Sequence, residues 1–402
     1  MGVSQSVRES GQEPRPLLFS DFPCVRLVGD TFHPHRYKRK MRQQAYFWIF
    51  VLAALIFLSP TSFSQAPKKN AFEVKNGLNI SHWLSQSRTR GEARQAYFTR
   101  DDVKFIASQG YDHLRIPIDE EQMFTESGEK EPEAFALLHK ALGWCEEFNL
   151  RAVVDLHILR SHHFNASEKP LFTEVKAQEQ FYECWRKISS ELKKYSVDKV
   201  AYEPMNEPVA DDHEVWNVIL NRCVQVIREM EPERTILMGS NRWQNYDTVK
   251  HLRVPENDPN IIISFHYYEP FFLTHYQGSW THIKDLTVPV HYPGQLIADA
   301  DLEAAGNHAR VGRTVFNIDV IEGHFKEVLE VAKKHNLKVY CGEYGVINAA
   351  PQADKIRWYK DMHTLFERHG IARANWDYKG GFGIVRNGEP QKDMINAILG
   401  KN

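Results

Sequence analysis

Short apolar runs alternate with longer amphipathic stretches along this chain from about residue 70 to its end. The short runs have the length and apolar character of buried strands, and they fall at residues 77–81, 112–118, 151–157, 199–203, 235–239, 261–266, 338–341 and 372–376. Between them, apolar residues recur every three or four positions, which predicts helices at residues 99–108, 132–148, 173–195, 212–230, 245–252, 318–335, 353–369 and 391–399.

This regular order of strand and helix is typical of a parallel sheet that is covered by helices. Eight strands are enough to close the sheet into a single (β/α)8 TIM barrel, an α/β fold. A doubly wound open sheet is the alternative, but such sheets usually carry a glycine-rich phosphate turn after an early strand, and the chain has none. Residues 267–317 are too long for a plain connection, so we expect them to form a wall over a substrate.

The first 66 residues follow a different pattern. Residues 36–42 are basic, residues 45–58 form an uncharged apolar run, and small residues follow at 61–66. This order is typical of a secretory signal peptide. Residues 1–66 are therefore predicted to be a leader, residues 67–402 the barrel domain, and the protein to be periplasmic or extracellular. A retained anchor helix is the alternative, although the apolar run is shorter than the about 20 residues of a membrane span.

The charge balance and the cysteine spacing argue against several kinds of partner and site. The chain has 50 Lys and Arg against 52 Asp and Glu, and its leader holds a surplus of basic residues. The body is therefore mildly acidic, which argues against a nucleic-acid partner or an anionic membrane. Cys145, Cys184, Cys223 and Cys341 are widely spaced and fall in predicted helices or strands. They are predicted to be buried free thiols, not a zinc site or a disulfide framework, although export leaves room for one disulfide.

Two glutamates follow predicted strands and have the surroundings of catalytic acids. Glu207 lies just after the fourth strand, between Pro204 and Pro208, which stiffen the backbone and end the strand. Glu343 follows the seventh strand next to Gly342, where a ligand can approach closely. In a closed barrel the carboxyl ends of all strands meet on one face, so both carboxylates can point into one bowl. A separation of about 5–5.5 Å fits a retaining glycosidase, and about 6.5–9.5 Å an inverting one.

Other polar and aromatic residues recur at the same strand ends. Arg115 lies near the end of the second strand, where an inward guanidinium needs a carboxylate, and it would keep Glu343 ionised. Further candidates at strand ends are His157, Asn206, His266, Tyr268 and Trp376. A single residue of this kind usually packs, but repetition at six strand ends favours a functional site.

The segments that contain these residues resemble glycoside hydrolase family 5, a family of retaining, cellulase-like (β/α)8 glycosidases. The similar segments are Gly-Leu-Asn-Ile-Ser-His-Trp-Leu (77–84), Leu-Arg-Ile-Pro (114–117), Val-Val-Asp-Leu-His (153–157), Met-Asn-Glu-Pro (205–208), Ser-Phe-His-Tyr-Tyr-Glu-Pro-Phe (264–271) and Gly-Glu-Tyr-Gly (342–345). Together with the region of Trp376 they cover about residues 72–398.

The resemblance implies a role for each candidate. Glu207 would be the general acid/base, kept protonated by the neighbouring charge of Glu343, and Glu343 would be the nucleophile of a double displacement. Asn206 would form a hydrogen bond with the sugar 2-hydroxyl. His266 would lie beside the acid/base, and Tyr268 would donate a hydrogen bond to Glu343. The sugar subsite would be lined by Arg115, His157 and Trp376. No cofactor or metal is implied.

One departure from the family pattern leaves another class of enzyme open. Many relatives carry two adjacent histidines after the third strand, whereas here His157 is followed by Ile158, and His162 and His163 come later. The three histidines allow a metal-dependent hydrolase as an alternative, although no spacing fits a helix-borne zinc pair.

The resemblance is greatest to β-1,4-endoglucanases, so a β-glucan is the expected substrate. Mannanase, xyloglucanase or exo-acting β-glucosidase activity stays open, as does a barrel that binds carbohydrate without turnover. No stable membrane partner is expected, and the oligomeric state is open. Aromatic residues that can stack on sugars or simply pack in the core are Trp83, Trp243, Trp280 and Tyr292.

Overall fold

Eight parallel strands form a closed barrel in the computed structural model, which describes residues 68–401. In chain order the strands are β1 (Asn76–Asn79), β2 (His113–Asp119), β3 (Arg151–Ile158), β4 (Val200–Glu203), β5 (Ile236–Gly239), β6 (Ile261–Tyr267), β7 (Lys338–Tyr344) and β8 (Ala372–Asn375). Each strand pairs with its neighbours in the chain, and β8 closes the ring against β1. The predicted (β/α)8 barrel is confirmed, whereas the predicted leader lies outside the described residues.

Helices surround the barrel and connect successive strands. The long helices are α1 (Arg100–Ser108), α2 (Pro132–Glu147), α3 (Val175–Leu192), α4 (His213–Met230), α5 (Ile318–His335), α6 (Gln352–His369) and α7 (Lys392–Leu399). Shorter α-helices are Gly91–Tyr97, Glu120–Met123, Pro170–Thr173, Phe271–Thr274, Leu302–Ala305 and Ala309–Gly312, and 3-10 turns are Tyr246–His251, Asp299–Asp301 and Gly306–His308. Asn241–Gln244 forms a turn whose residues Arg242 and Trp243 have left-handed backbone angles. At the predicted start of α1, Thr99 and Asp102 form a reciprocal capping box.

The inside of the barrel is built in layers. Its lower layer is an apolar cluster formed by Phe72, Val153, Ala201, Leu237, Ile262, Tyr340 and Ala374. Because side chains alternate along a strand, the residue two positions later points inward again. Asp155 follows Val153 in this way, and Glu203 follows Ala201, so a layer of buried polar groups lies above the apolar one.

The last two long strands extend further than predicted. β6 runs to Tyr267 and β7 to Tyr344, so Glu343 lies within its strand and not after it. The register between the two strands shifts there, since Phe265 pairs with Cys341 but His266 pairs with Glu343. Gly342 is the unpaired residue of this bulge, and a Cβ on it would lie 3.2 Å from His266 Nε2. Bulges re-aim side chains, and this one sets the direction of Glu343.

Residues 267–317 are less irregular than predicted. They hold short helices and a two-stranded ribbon in which Gly294–Gln295 pairs with Val315–Phe316. Val290, Tyr292 and Ile297 of this segment are fully buried and anchor it to the core.

Cys145, Cys184, Cys223 and Cys341 are buried free thiols, which confirms that prediction. Among residues 68–401, no helix has the length and apolar composition of a membrane span.

Candidate active site

A cavity of about 960 Å³ opens at the carboxyl ends of the barrel strands. Seven of the eight predicted site residues line it, namely His157, Asn206, Glu207, His266, Tyr268, Glu343 and Trp376. The wall formed by residues 267–317 adds Phe271, His275, Trp280, Thr281 and His282. The cavity therefore collects groups from β3, β4, β6, β7 and β8, as the convergence of strand ends requires.

Arg115 is the exception, since its side chain is 0% exposed and lies beneath the cavity. The prediction that it lines the sugar subsite is wrong, because its guanidinium is fully occupied by protein groups. It donates to Glu203 Oε2 at 2.7 Å, Glu343 Oε1 at 2.8 Å, Asn79 Oδ1 at 2.9 Å and Asn206 Oδ1 at 2.9 Å. It also forms a salt bridge with Asp155 Oδ2 at 3.0 Å. Its predicted contact with Glu343 is present.

Glu343 is held at both carboxylate oxygens. Arg115 donates to Oε1, and the Tyr268 hydroxyl donates to Oε2 at 3.0 Å. Burial raises the pKa of Glu343, while the charge of Arg115 and the hydrogen bond from Tyr268 act in the opposite direction. The predicted effect of Arg115 is therefore present, but burial outweighs it.

Glu207 faces Glu343 across the cavity. One oxygen of each carboxylate and a ring nitrogen of His266 lie within 4.8 Å of one another. The His266 Nδ1 to Glu207 Oε1 distance is 2.9 Å. The pKa of Glu207 is raised well above its usual value, first by burial and second by the charge of Glu343. The sequence had suggested the neighbouring charge as the cause, and the structure places burial ahead of it.

An aromatic and amide surface lies beside the two carboxylates. The rings of His157 and Trp376 stack with centroids 5.6 Å apart and an interplanar angle of 9°. His157 Nδ1 contacts Asp155 Oδ2 at 2.7 Å, and burial lowers the pKa of His157 to about 3, so the ring is neutral. The amide of Asn206 lies 3.4 Å from His157 Nε2 while Arg115 fixes its oxygen.

The three histidines of the metal-dependent alternative point to different partners. His157 contacts Asp155, and His162 Nε2 lies 3.2 Å from the carbonyl oxygen of Glu207. Only His163 of the later pair lines the cavity. Within residues 68–401, the one group with three metal-ligating side chains close together is Glu207, His266 and Glu343. The histidine set proposed from the sequence is therefore not a cluster.

The aromatic candidates divide into two kinds. Trp83 and Tyr292 are fully buried and pack in the core. Trp243 and Trp280 line the cavity and are 46% and 60% exposed. Tryptophans that line the cavity can stack on sugar rings, whereas Trp83 and Tyr292 pack away from the cavity.

Several residues of the site were missed from the sequence. His82 and Gln86 line the cavity after β1, and Asn79, Glu203 and Gln244 support its charged groups from below. Glu203 could have been found, because side chains alternate along β4 and Glu203 points inward two residues after Ala201.

The sequence of the chain matches a known family over most of the barrel domain. The sequence profile described as "Cellulase (glycosyl hydrolase family 5)" matches residues 70–381. The chain belongs to glycosyl hydrolase family 5. It is a glycoside hydrolase, as the resemblance in the sequence had implied.

Individual relatives are similar over most of the family 5 domain. Endoglucanase C of Acetivibrio thermocellus is 30% identical over 318 residues, which cover 76% of this chain and 91% of that protein. Cellodextrinase A of Ruminococcus flavefaciens is 31% identical over 304 residues, or 75% of this chain and 84% of that protein. A solved structure described as an endoglucanase is 26% identical with a TM-score of 0.68, covering 82% of this chain and 97% of that one.

Replacing the buried guanidinium tests its supporting role. We expect Arg115→Met to lower the free energy of unfolding by about 3–5 kcal/mol, because it leaves buried carboxylates without their cation. We expect Arg115→Lys to fold but to lose at least about 100-fold in kcat/KM, since an ammonium cannot reproduce the planar fork. Denaturant unfolding and steady-state kinetics measure both, with Arg100→Lys in an exposed ion pair as the control. An Arg115→Met protein with the free energy of unfolding of the wild type would contradict the supporting role of Arg115.

Proposed function

We propose that this family 5 hydrolase cleaves β-1,4-linked glucan in the manner of an endoglucanase, with retention of configuration by double displacement. The observation that carries the proposal is the separation of the two carboxylates, whose nearest oxygens lie within 4.8 Å. This separation supports the retaining geometry of about 5–5.5 Å, because an inverting site needs about 6.5–9.5 Å to admit a water.

The surroundings of the two carboxylates assign their roles in the first step. Glu343 receives hydrogen bonds from Arg115 and Tyr268, which favour its ionised form and leave it as the nucleophile. Among residues 68–401 no arginine contacts Glu207, and its pKa is raised well above the usual value by burial and by Glu343. It therefore holds a proton for the leaving oxygen while Glu343 attacks the anomeric carbon.

The second step reverses the role of Glu207. Once Glu343 is bonded to the sugar, its negative charge is gone, and the second cause of the raised Glu207 pKa disappears with it. Glu207, now ionised after giving up its proton, takes a proton from the incoming water, whose oxygen bonds to the anomeric carbon as the bond to Glu343 breaks. Burial lowers the pKa of His266 well below its usual range, so the ring is neutral. It contacts Glu207 without adding a positive charge that would favour the ionised carboxylate.

The sugar that reacts is placed by the surface beside Glu343. Trp376, stacked on His157, offers its ring to the apolar face of a pyranose. The amide group of Asn206 is available to the 2-hydroxyl, because Arg115 holds the oxygen of the same side chain. A hydrogen bond at the 2-hydroxyl strengthens in the transition state, which is where binding energy accelerates the reaction.

The charge of the cavity supports a neutral glycan. Among the described residues that line it, Glu207, Glu269 and Glu343 are acidic and none is Lys or Arg. An acidic cavity without a facing cation disfavours polymers of uronic acids. The exposed Trp243 and Trp280 add stacking surfaces for further sugar units. The names of the relatives, endoglucanase and cellodextrinase, support a β-1,4-glucan.

Substitution of the nucleophile tests the mechanism. We expect Glu343→Gln to lose at least about 10⁴-fold in kcat on cello-oligosaccharides while the protein stays folded, because the amide cannot attack. In the wild-type protein, proton NMR of the fresh product should show the β-anomer first. The α-anomer would contradict retention, and a chain inactive on every β-glycan would instead support a binding barrel.

Removal of one hydrogen bond tests the assignment through pH. Tyr268→Phe removes a contact that lowers the pKa of Glu343, so the acidic limb of the kcat/KM profile should move to higher pH. The alkaline limb, which requires protonated Glu207, should stay in place. We expect a loss of about 10-fold or more at the optimum. The control is Tyr195→Phe, whose hydroxyl contacts His139 on the outer helices. A shift of the alkaline limb alone would reverse the two roles.

A panel of polysaccharides tests the substrate. We expect turnover of β-1,4-glucan and its oligosaccharides and no turnover of polyuronates, because the cavity is acidic. Mannan, xyloglucan, xylan and an aryl β-glucoside distinguish the alternative activities, and the sizes of the products distinguish internal from terminal cleavage. Preferred turnover of mannan or of a polyuronate would contradict the proposal.

We also propose that the protein is exported through its leader to the periplasm or the exterior, which suits a polymeric substrate. The support is the order of basic, apolar and small residues in the sequence. Amino-terminal sequencing of the exported protein should find a start near residue 67, whereas an intact leader in the membrane fraction would contradict cleavage.

A further inference from the structure

The backbone around Glu207 adopts a conformation that non-glycine residues rarely take. Glu207 has a φ of 46°, and three successive residues of the turn after β5, Arg242, Trp243 and Gln244, have φ values of 57°, 61° and 51°. Left-handed conformations are uncommon for such residues and persist only where the surroundings impose them. Runs of them at a functional site therefore need a structural explanation.

Hydrogen bonds join the left-handed turn to the loop that carries Glu207. The amide group of Asn241 donates to the carbonyl oxygen of Ala210 at 2.9 Å, and its oxygen accepts from the Ala210 N–H at 2.8 Å. The N–H of Trp243 donates to the carbonyl oxygen of Pro208 at 3.2 Å. The turn thus fixes the backbone of residues 208–210 through these hydrogen bonds.

Gln244 makes the contact that reaches Glu207 itself. Its side-chain oxygen accepts from the Glu207 N–H at 2.9 Å, and its side-chain amide donates to Glu203 Oε1 at 2.8 Å. The side chain is fully buried and fills the space where Gly239 lacks a Cβ, which would lie 1.8 Å from Gln244 Nε2. Glu203 is in turn fixed by Arg115. Gln244 therefore links the buried charge layer to the backbone of Glu207.

The other side of the Glu207 peptide is held as well. Because a carbonyl oxygen only accepts, His162 Nε2 donates to the Glu207 carbonyl across 3.2 Å. Burial lowers the pKa of His162 to about 4, so the ring stays neutral over the working range of a glycosidase. Both backbone polar groups of Glu207 are thus bound by buried side chains.

We propose that Gln244 is a positioning residue for acid/base catalysis, fixing the left-handed backbone of Glu207 so that its carboxyl reaches the leaving oxygen. The inference rests on the proposed function, since it assumes that Glu207 is the acid/base. Loss of the contact should leave the nucleophile in place and disturb only the steps that need a proton from Glu207.

A comparison of leaving groups isolates those steps. Cellotetraose needs its leaving oxygen protonated, whereas 2,4-dinitrophenyl β-cellobioside has a leaving group that departs without a proton. We expect Gln244→Leu to lower kcat/KM on cellotetraose by about 10- to 100-fold and on the aryl substrate by less than twofold. The alkaline limb of the cellotetraose profile should also move. Gln225→Leu, at an exposed glutamine of α4, is the matched control.

Gly239→Ala tests the same contact by a second route. The added Cβ would displace the Gln244 side chain, while every side chain that contacts Glu207 keeps its chemical identity. It should show the same dependence on the leaving group, with Gly143→Ala in open space on α2 as its control. Equal losses on both substrates with an unmoved alkaline limb, in folded Gln244→Leu and Gly239→Ala proteins, would overturn the inference.

Glu207→Ala separates this failure from a failure of the proposed function. If Glu207→Ala spares the aryl substrate while Gln244→Leu does not distinguish the two substrates, only the positioning role is wrong. If Glu207→Ala loses activity equally on both substrates, the acid assignment itself is wrong, and the inference falls with it.

Discussion

One buried guanidinium holds the barrel and the active site together. Arg115 of β2 contacts Asn79 of β1, Asp155 of β3, Glu203 of β4 and Glu343 of β7. Buried charges are costly unless each is paired and hydrogen-bonded, and removal of one partner leaves the others uncompensated. These partners come from four strands other than β2, and closure of the barrel brings them to one cation. Fold and site therefore depend on the same set of contacts.

The excess of carboxylates over cations in this layer has a functional result. Burial raises the pKa of Asp155 to about 7 and raises those of Glu203 and Glu343, while Arg115 opposes each shift. Glu207 lies above this layer, where no arginine of the described part of the chain contacts it, and its pKa is raised well above the usual value. The site thus separates a carboxylate bound by a cation from a carboxyl that keeps its proton. Such a separation of environments is how one fold provides an acid and a nucleophile together.

The parts of the fold that follow from periodicity were predictable. Strand and helix positions, the cap at Thr99 and the convergence of Glu207 and Glu343 all depend on local pattern and barrel topology. The bulge at Gly342 and the left-handed turn at Arg242 were not, because both arise from side chains that meet only after the barrel closes. For the same reason the sequence could not separate the buried Trp83 from the exposed Trp280, since both are large aromatics in loops.

The most direct test of the account is to trap the covalent intermediate that double displacement requires. A 2-deoxy-2-fluoro cellobioside with a good leaving group slows the second step more than the first, so the glycosyl-enzyme accumulates. Mass spectrometry of the digested protein should place one added disaccharide on the peptide that contains Glu343, and on no other. A label on Glu207, or an active enzyme that never forms an adduct, would contradict the assignment of nucleophile and acid on which the mechanism rests.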